Sequence, residues 1–189
     1  WVIHLCNAGR GVTPILEDVQ ALSIEVGQDD DASPFTLHHA EGSHEKITDF
    51  QPRSTTIAPG HRVTLGAFGG RSSDGSLPFF NLADPGGGGL VMAVGWTGQW
   101  SATFDRAGCG PLRVRAGMER THLRLHAGEA IRTPAVLLLF WDGDDPIRGQ
   151  NLLRRWLLRH ATPTVSGRPV VPPIAASPHA VVPFEKSTE

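Results

Sequence analysis

Residues 78–96 read Pro78-Phe79-Phe80-Asn81-Leu82-Ala83-Asp84-Pro85-Gly86-Gly87-Gly88-Gly89-Leu90-Val91-Met92-Ala93-Val94-Gly95-Trp96. Two short apolar runs are separated by Asp-Pro and a run of glycines. Asp and Pro favour a turn and glycine supplies the unusual dihedrals a tight turn needs, so this stretch predicts a β-hairpin. The glycines do not form a phosphate loop, because no Lys-Ser/Thr follows and the next segment has a strand pattern, not a helical one.

Working outward, the same punctuation recurs. The chain has 22 glycines and 15 prolines in 189 residues, and they fall between short apolar runs, as in an all-β domain. Strands are expected at Trp1–Cys6, Leu22–Val26, His61–Phe68, Pro78–Leu82, Leu90–Trp96, Gln99–Phe104, Leu112–Ala116, Arg120–His126 and Pro134–Trp141. Alternation is clearest over 121–126, where Thr121, Leu123 and Leu125 share one face and His122, Arg124 and His126 the other. Segment 14–20 fits both periods and is taken as extended. One helix is signalled after Asp145 as its cap and Pro146 at its first position, ending before Pro163. Leu153, Trp156, Leu157 and His160 share its apolar face. Residues 162–173, rich in Pro, Gly and Val, suggest a linker. Apolar stretches at 174–176 and 181–184 suggest that a new element begins. The expected domains are a β-sandwich over 1–143, N-terminally incomplete, a linker helix and Pro-rich linker over 144–171, and a further strand region over 172–189.

Composition narrows the function. Hydrophobic residues make up 40% and charged residues 19% of the chain, which fits a folded domain. A net charge of -2 gives no electrostatic case for nucleic acid or an anionic membrane as main partner. Two cysteines make neither a disulfide scaffold nor a four-thiolate zinc site. The longest apolar run, Ala135–Trp141, is far shorter than the roughly 20 residues of a membrane helix. No signal peptide is visible, but the chain opens at Trp1 inside an apolar stretch, as a fragment would. That leaves the compartment open, with the cytoplasm favoured.

Candidate chemistry is sparse. His38, His39, Glu41, His44 and Glu45 crowd together, yet their spacing matches no metal motif and the segment reads as a polar surface loop. Gly69-Gly70-Arg71-Ser72-Ser73 lacks the GxSxG nucleophile pattern. Asp49, Asp74, Asp84 and Asp105 have the residue type for glycosidic chemistry, but all except Asp49 stand in turn contexts. Trp96 and Trp100 lie within strand-like runs and are expected in the core more than on a sugar platform.

Several stretches together resemble the α-galactosidase group of glycoside hydrolases, family 36. They are Asp49-Phe50-Gln51-Pro52, the run from Gly70-Arg71-Ser72-Ser73-Asp74-Gly75 to Pro78-Phe79-Phe80-Asn81, Gly95-Trp96-Thr97-Gly98-Gln99-Trp100, Arg115-Ala116-Gly117-Met118-Glu119 and Gly128-Glu129. The block from Thr133-Pro134 through Phe140-Trp141 to Gln150-Asn151-Leu152-Leu153-Arg154-Arg155 follows in order. The resemblance implies a mainly β chain: an antiparallel β-sandwich of the supersandwich, galactose-mutarotase-like type, then the linker helix and the first strand of a (β/α)8 barrel near Pro172. It implies that two catalytic aspartates lie beyond Glu189, that no cofactor or metal is needed, and that the whole enzyme hydrolyses a terminal α-galactoside by a retaining, exo-acting mechanism. It assigns Asp49, Phe50 and Trp96 to substrate binding, and the barrel and further copies of the protein as partners. Asp74 and Leu77 stand where better known members carry His and Asn, and Gln51 replaces an Arg, so a related α-glycoside is also compatible. The alternative from another class is a free-standing carbohydrate-binding β-sandwich.

Overall fold

The computed structural model describes residues 1–28 and 31–171. The strands are β1 (His4–Cys6), β2 (Leu16–Glu17), β3 (Gln20–Val26), β4 (Phe35–Ala40), β5 (Pro52–Ile57), β6 (Arg62–Gly66), β7 (Phe79–Ala83), β8 (Gly89–Gly95), β9 (Trp100–Asp105), β10 (Leu112–Met118), β11 (His122–Leu123), β12 (Ala130–Arg132) and β13 (Ala135–Trp141). Helix α1 (Ile147–His160) and the short strands β14 (Thr164–Val165) and β15 (Arg168–Pro169) follow.

Two antiparallel sheets carry the fold, one with strand order β13-β8-β7-β4-β5 and the other β3-β10-β9-β6. Alternation explains why they stack. In β9, Trp100, Ala102 and Phe104 are buried while Ser101, Thr103 and Asp105 face outward. In β7, Phe80 and Leu82 point into the same core. The Phe80 ring meets Trp100 at 5.6 Å and Phe104 at 5.4 Å, both edge-on, so aromatic contacts join the two layers.

The hairpin between β7 and β8 forms as expected, with Asp84 Oδ1 accepting the Gly86 N–H at 2.8 Å and Ala83 opposite Gly89. The histidine-rich segment forms the expected polar loop only in its second half, where His44 and Glu45 lie between β4 and β5. His38 and His39 lie in β4, paired with β5 and β7, because the alternate positions Phe35 and Leu37 are buried at 2% and 0% exposure. The expected strand over 120–126 is regular only at His122–Leu123, which pairs with Glu17 and Leu16; the alternation of burial holds on either side. The expected linker contains the β14–β15 pair.

By compactness the chain divides into Trp1–Leu153 and a second unit from Arg154. In the first unit, Asp145 Oδ1 caps the helix by accepting the Ile147 N–H at 3.0 Å. The helix start is seated by Asn81, whose Nδ2 donates to the Pro146 carbonyl at 2.9 Å while its Oδ1 accepts the Trp141 Nε1–H at 2.8 Å. In the second unit, the Trp156 and His160 rings meet one turn apart, tilted by 38° with centroids 5.4 Å from each other. The expected barrel strand near Pro172 lies outside the described residues.

Candidate functional site

Strand order brings three connections to one end of the sandwich: residues 41–51 between β4 and β5, residues 67–78 between β6 and β7, and residues 96–99 between β8 and β9. The first two are stitched together by backbone. Gly42 N–H donates to the Gly75 carbonyl at 3.0 Å and Ser43 N–H to the Ser73 carbonyl at 2.8 Å. A Cβ on Gly42 would collide with the Ser73 carbonyl, so glycine is required there for close approach. The second loop is pinned to the core by Trp100, whose Nε1–H donates to the Ser72 carbonyl at 2.7 Å. Gln99 Nε2 adds a bond to the Phe68 carbonyl at 2.9 Å.

Asp49 organises the first loop. Its Oδ1 accepts the His44 N–H at 2.9 Å, and its Oδ2 accepts the Ser43 hydroxyl at 2.8 Å and the Glu45 N–H at 3.0 Å. These bonds, the His44 N–H first among them, hold the Asp49 carboxyl below its usual pKa. Two non-glycine residues of the loop, Glu45 and Phe50, both at φ 61°, sit in the left-handed region. That conformation costs an L-residue about 1–2 kcal/mol, and the ring of bonds around Asp49 over-determines it. Ile47, fully exposed, stands at the tip, and Phe50, 54% exposed, stands near the base, where its N–H faces the Gly42 carbonyl.

The sequence expectation placed Asp49, Phe50 and Trp96 in one site. Asp49 and Phe50 share the ordered loop. Trp96 is at the same end but half-buried, packed against the core and covered by Arg132, whose guanidinium carbon is 5.4 Å from the ring centroid. Trp100 is fully buried. Sequence reasoning missed two pairs at this end. His44 Nδ1 lies 3.3 Å from Asp74 Oδ1, linking the loops side chain to side chain. Arg53 donates through Nε and Nη2 to Glu41 Oε1 at 2.9 and 2.5 Å, clamping the base of the first loop. Asp74 occupies a position at which the resemblance expects His, so the carboxylate that departs from the pattern is the one that meets His44. Among the described residues no group of His, Cys, Asp and Glu is arranged to hold a metal ion.

No family model and no curated protein sequence matches the chain. Solved structures do match its fold. The galactosidase domain of the α-galactosidase-sucrose kinase AgaSK aligns over 76% of this chain and 20% of its own length, with a TM-score of 0.64 and 21% identity. The α-galactosidase from Lactobacillus brevis aligns over 75% of this chain and 19% of its own, with a TM-score of 0.62 and 16% identity. A variant of the GH36 α-galactosidase AgaA from Geobacillus stearothermophilus, solved with stachyose, aligns over 75% and 20%, with a TM-score of 0.58 and 19% identity. The chain thus spans about a fifth of the length of each of these structures, and it has the fold that part of these α-galactosidases adopts.

Proposed function

We propose that this chain is the N-terminal β-supersandwich and linker of a retaining, exo-acting glycoside hydrolase of the α-galactosidase type, acting on terminal α-galactosides. The observation that carries the reading is the fold match to α-galactosidases over three quarters of the chain. In this reading the nucleophile and the acid/base are two aspartates on a (β/α)8 barrel encoded after Glu189. One forms a glycosyl-enzyme and the other protonates the leaving oxygen, then activates water, across the roughly 5–5.5 Å gap of a retaining site. The chain alone is catalytically inert. Its part is to scaffold the barrel and to present the loop 43–50 to the sugar pocket, in the same subunit or in another copy of the protein.

Asp49 can serve there even though the loop occupies it. A carboxylate has about four lone-pair sites; three internal bonds leave one on Oδ1 for a sugar hydroxyl. Phe50 supplies an exposed ring for the C–H face of the sugar, and Trp96, half-buried under Arg132 at the same end, is the further aromatic of the site. A second reading, in which Asp49 only orders the loop, draws on those same three bonds. Steady-state hydrolysis of an aryl α-galactoside by the complete protein tests whether Asp49 and the loop it orders serve the pocket. Asp49→Ala is expected to lower kcat/KM by ten- to a hundredfold, about 1.4–2.8 kcal/mol. Unchanged kinetics would select the second reading, and no hydrolysis by the complete wild-type protein would remove the proposal itself.

A further inference from the structure

The outer face of the β3-β10-β9-β6 sheet has its side chains arranged in rows by strand register. One row runs Arg62, Asp105, Arg113, Glu25, alternating in sign. Arg62 Nη2 is 2.7 Å from Asp105 Oδ2, and Arg113 Nη2 is 2.9 Å from Glu25 Oε1. The next row holds Thr64, Thr103 and Arg115, and the Arg115 guanidinium reaches Asp18 at 2.6 Å. In the third row Ser101 stands between Gly66 and Gly117. That row carries one small side chain between two glycines, which leaves the face open there. Gln20, Met118 and Glu119 complete the lining of an open groove of about 310 Å³.

The lining selects a class of ligand. Its three guanidiniums, Arg62, Arg113 and Arg115, are balanced by the carboxylates of Asp18, Asp105 and Glu119, so no net field attracts a phosphate or a polycation. The ion pairs leave hydrogen-bonding capacity over. An arginine has five N–H donors, and Arg62 and Arg115 each use one on the paired carboxylate. Hydroxyls of Ser101, Thr64 and Thr103 lie between these charges and can both donate and accept. Donors and acceptors interleaved at strand spacing match a ligand that carries interleaved hydroxyls and no charge. Met118 is the one hydrophobic side chain of the lining, enough for the C–H face of a ring and too little for the apolar anchors of a peptide or a lipid. The volume is at the small end of the roughly 300–1,000 Å³ typical of small-ligand sites.

We infer that this groove is a binding site for a neutral carbohydrate of one or two pyranose rings, held by Arg62, Arg113 and Arg115 together with the carboxylates of Asp18, Asp105 and Glu119. It is built from a sheet face and not from the loops of the candidate site, and it stands or falls independently of the proposed hydrolytic role. The test is calorimetric titration of the protein with methyl α-galactoside and raffinose as neutral probes, and with galacturonate and inorganic sulfate as anionic ones. Saturable binding of a neutral probe is expected, weakened about tenfold or more by Arg115→Met, which removes the charge-assisted donors and keeps the stem. Thr103→Trp, which fills the groove, is expected to abolish it, and unfolding midpoints show whether either variant is folded. The inference is overturned if no neutral probe binds saturably, if an anion binds more tightly than both sugars, or if binding survives Arg115→Met in a folded protein.

Discussion

The Asp49 carboxylate lies 2.9 Å from the backbone nitrogen of His44, a bond that closes the loop between β4 and β5 from its far side to its near side. With the Ser43 hydroxyl and the Glu45 N–H on the other oxygen, one side chain sets the path of seven residues. Asp49→Ala removes the shared acceptor. Hydrogen exchange at the His44 and Glu45 amides is then expected to become fast while exchange in the sheets is unchanged. Acid should act in the same way. Because the folded pKa is depressed, the carboxylate stays charged down through the ordinary value of about 3.9. Loop protection is therefore full above that value and is lost as pH falls through the lowered one. Unchanged amide exchange in Asp49→Ala would show that the backbone stitching alone orders the loop.

His39 carries a second pH dependence, nearer neutrality. It is half-buried in β4, with Nε2 3.0 Å from Thr55 Oγ1, and burial first, then the nearby Arg53 charge, lowers its pKa. The sign follows directly. The fold favours the neutral ring, so this contribution to stability is complete above the unfolded value of about 6.5 and is lost as pH falls toward the lowered folded value. Urea midpoints are expected to fall below about pH 6.5, and His39→Gln is expected to flatten that part of the profile. An unaltered profile in the variant would assign the dependence to another histidine.

How much of this could be read from the chain differs from place to place. The β7–β8 hairpin was legible because Asp84, Pro85 and the glycines act locally on the backbone. β4 was not, because His38 and His39, one on each face of the strand, look like loop chemistry, and the apolar inward signal is only Phe35 and Leu37. β5 was hidden for a similar reason: it begins with a proline, continues with Arg53, Ser54, Thr55 and Thr56, and shows a single buried residue, Ile57. That is how a solvated edge strand reads. At the candidate site, resemblance located Asp49 and Phe50, but no spacing rule shows that His44 meets Asp74, thirty residues away. That contact depends on Gly42 passing close to the Ser73 carbonyl, which is a property of sheet register.

At the opposite end of the sandwich Arg106 is 1% exposed, and among the described residues its guanidinium hydrogen-bonds to backbone carbonyls. It donates to the Gly110 carbonyl at 3.0 Å, to the Ser33 carbonyl at 2.5 Å and to the Asp31 carbonyl, and its guanidinium carbon is 5.0 Å from the Phe35 ring centroid. Arg106→Met keeps much of the stem volume and leaves three carbonyls without their donor. Hydrogen bonds to a charged group contribute about 1.5–3 kcal/mol each and do not add fully, so a loss of about 3–4 kcal/mol in denaturant unfolding is expected. Arg106→Lys should recover only a minor part, since an ammonium cannot reproduce the fork that spans three carbonyls. Full recovery by lysine would mean that charge over the Phe35 face, and not the fork, is what stabilises this end.

The helix start offers a case where local preference and packing oppose each other. Gly149 lies in the first turns of α1, where alanine would gain about 1 kcal/mol of helix propensity. Yet a Cβ there would stand 2.7 Å from Trp141 Nε1 and 2.9 Å from Asn81 Nδ2. Neither neighbour can yield easily. The Trp141 ring is buried, and its Nε1 and both ends of the Asn81 amide are committed to the bonds that seat the helix. Overpacking of this kind costs about 1–3 kcal/mol, and any shift that relieves it also breaks a buried hydrogen bond worth about 1 kcal/mol. Packing therefore wins, and Gly149→Ala is expected to destabilise the first unit by about 1–2 kcal/mol net. Gln150→Ala, at an exposed position one residue on, should stay within about 0.5 kcal/mol of the parent. If Gly149→Ala were instead the more stable protein, the Asn81–Trp141 pair would not be what fixes the helix against the sheet.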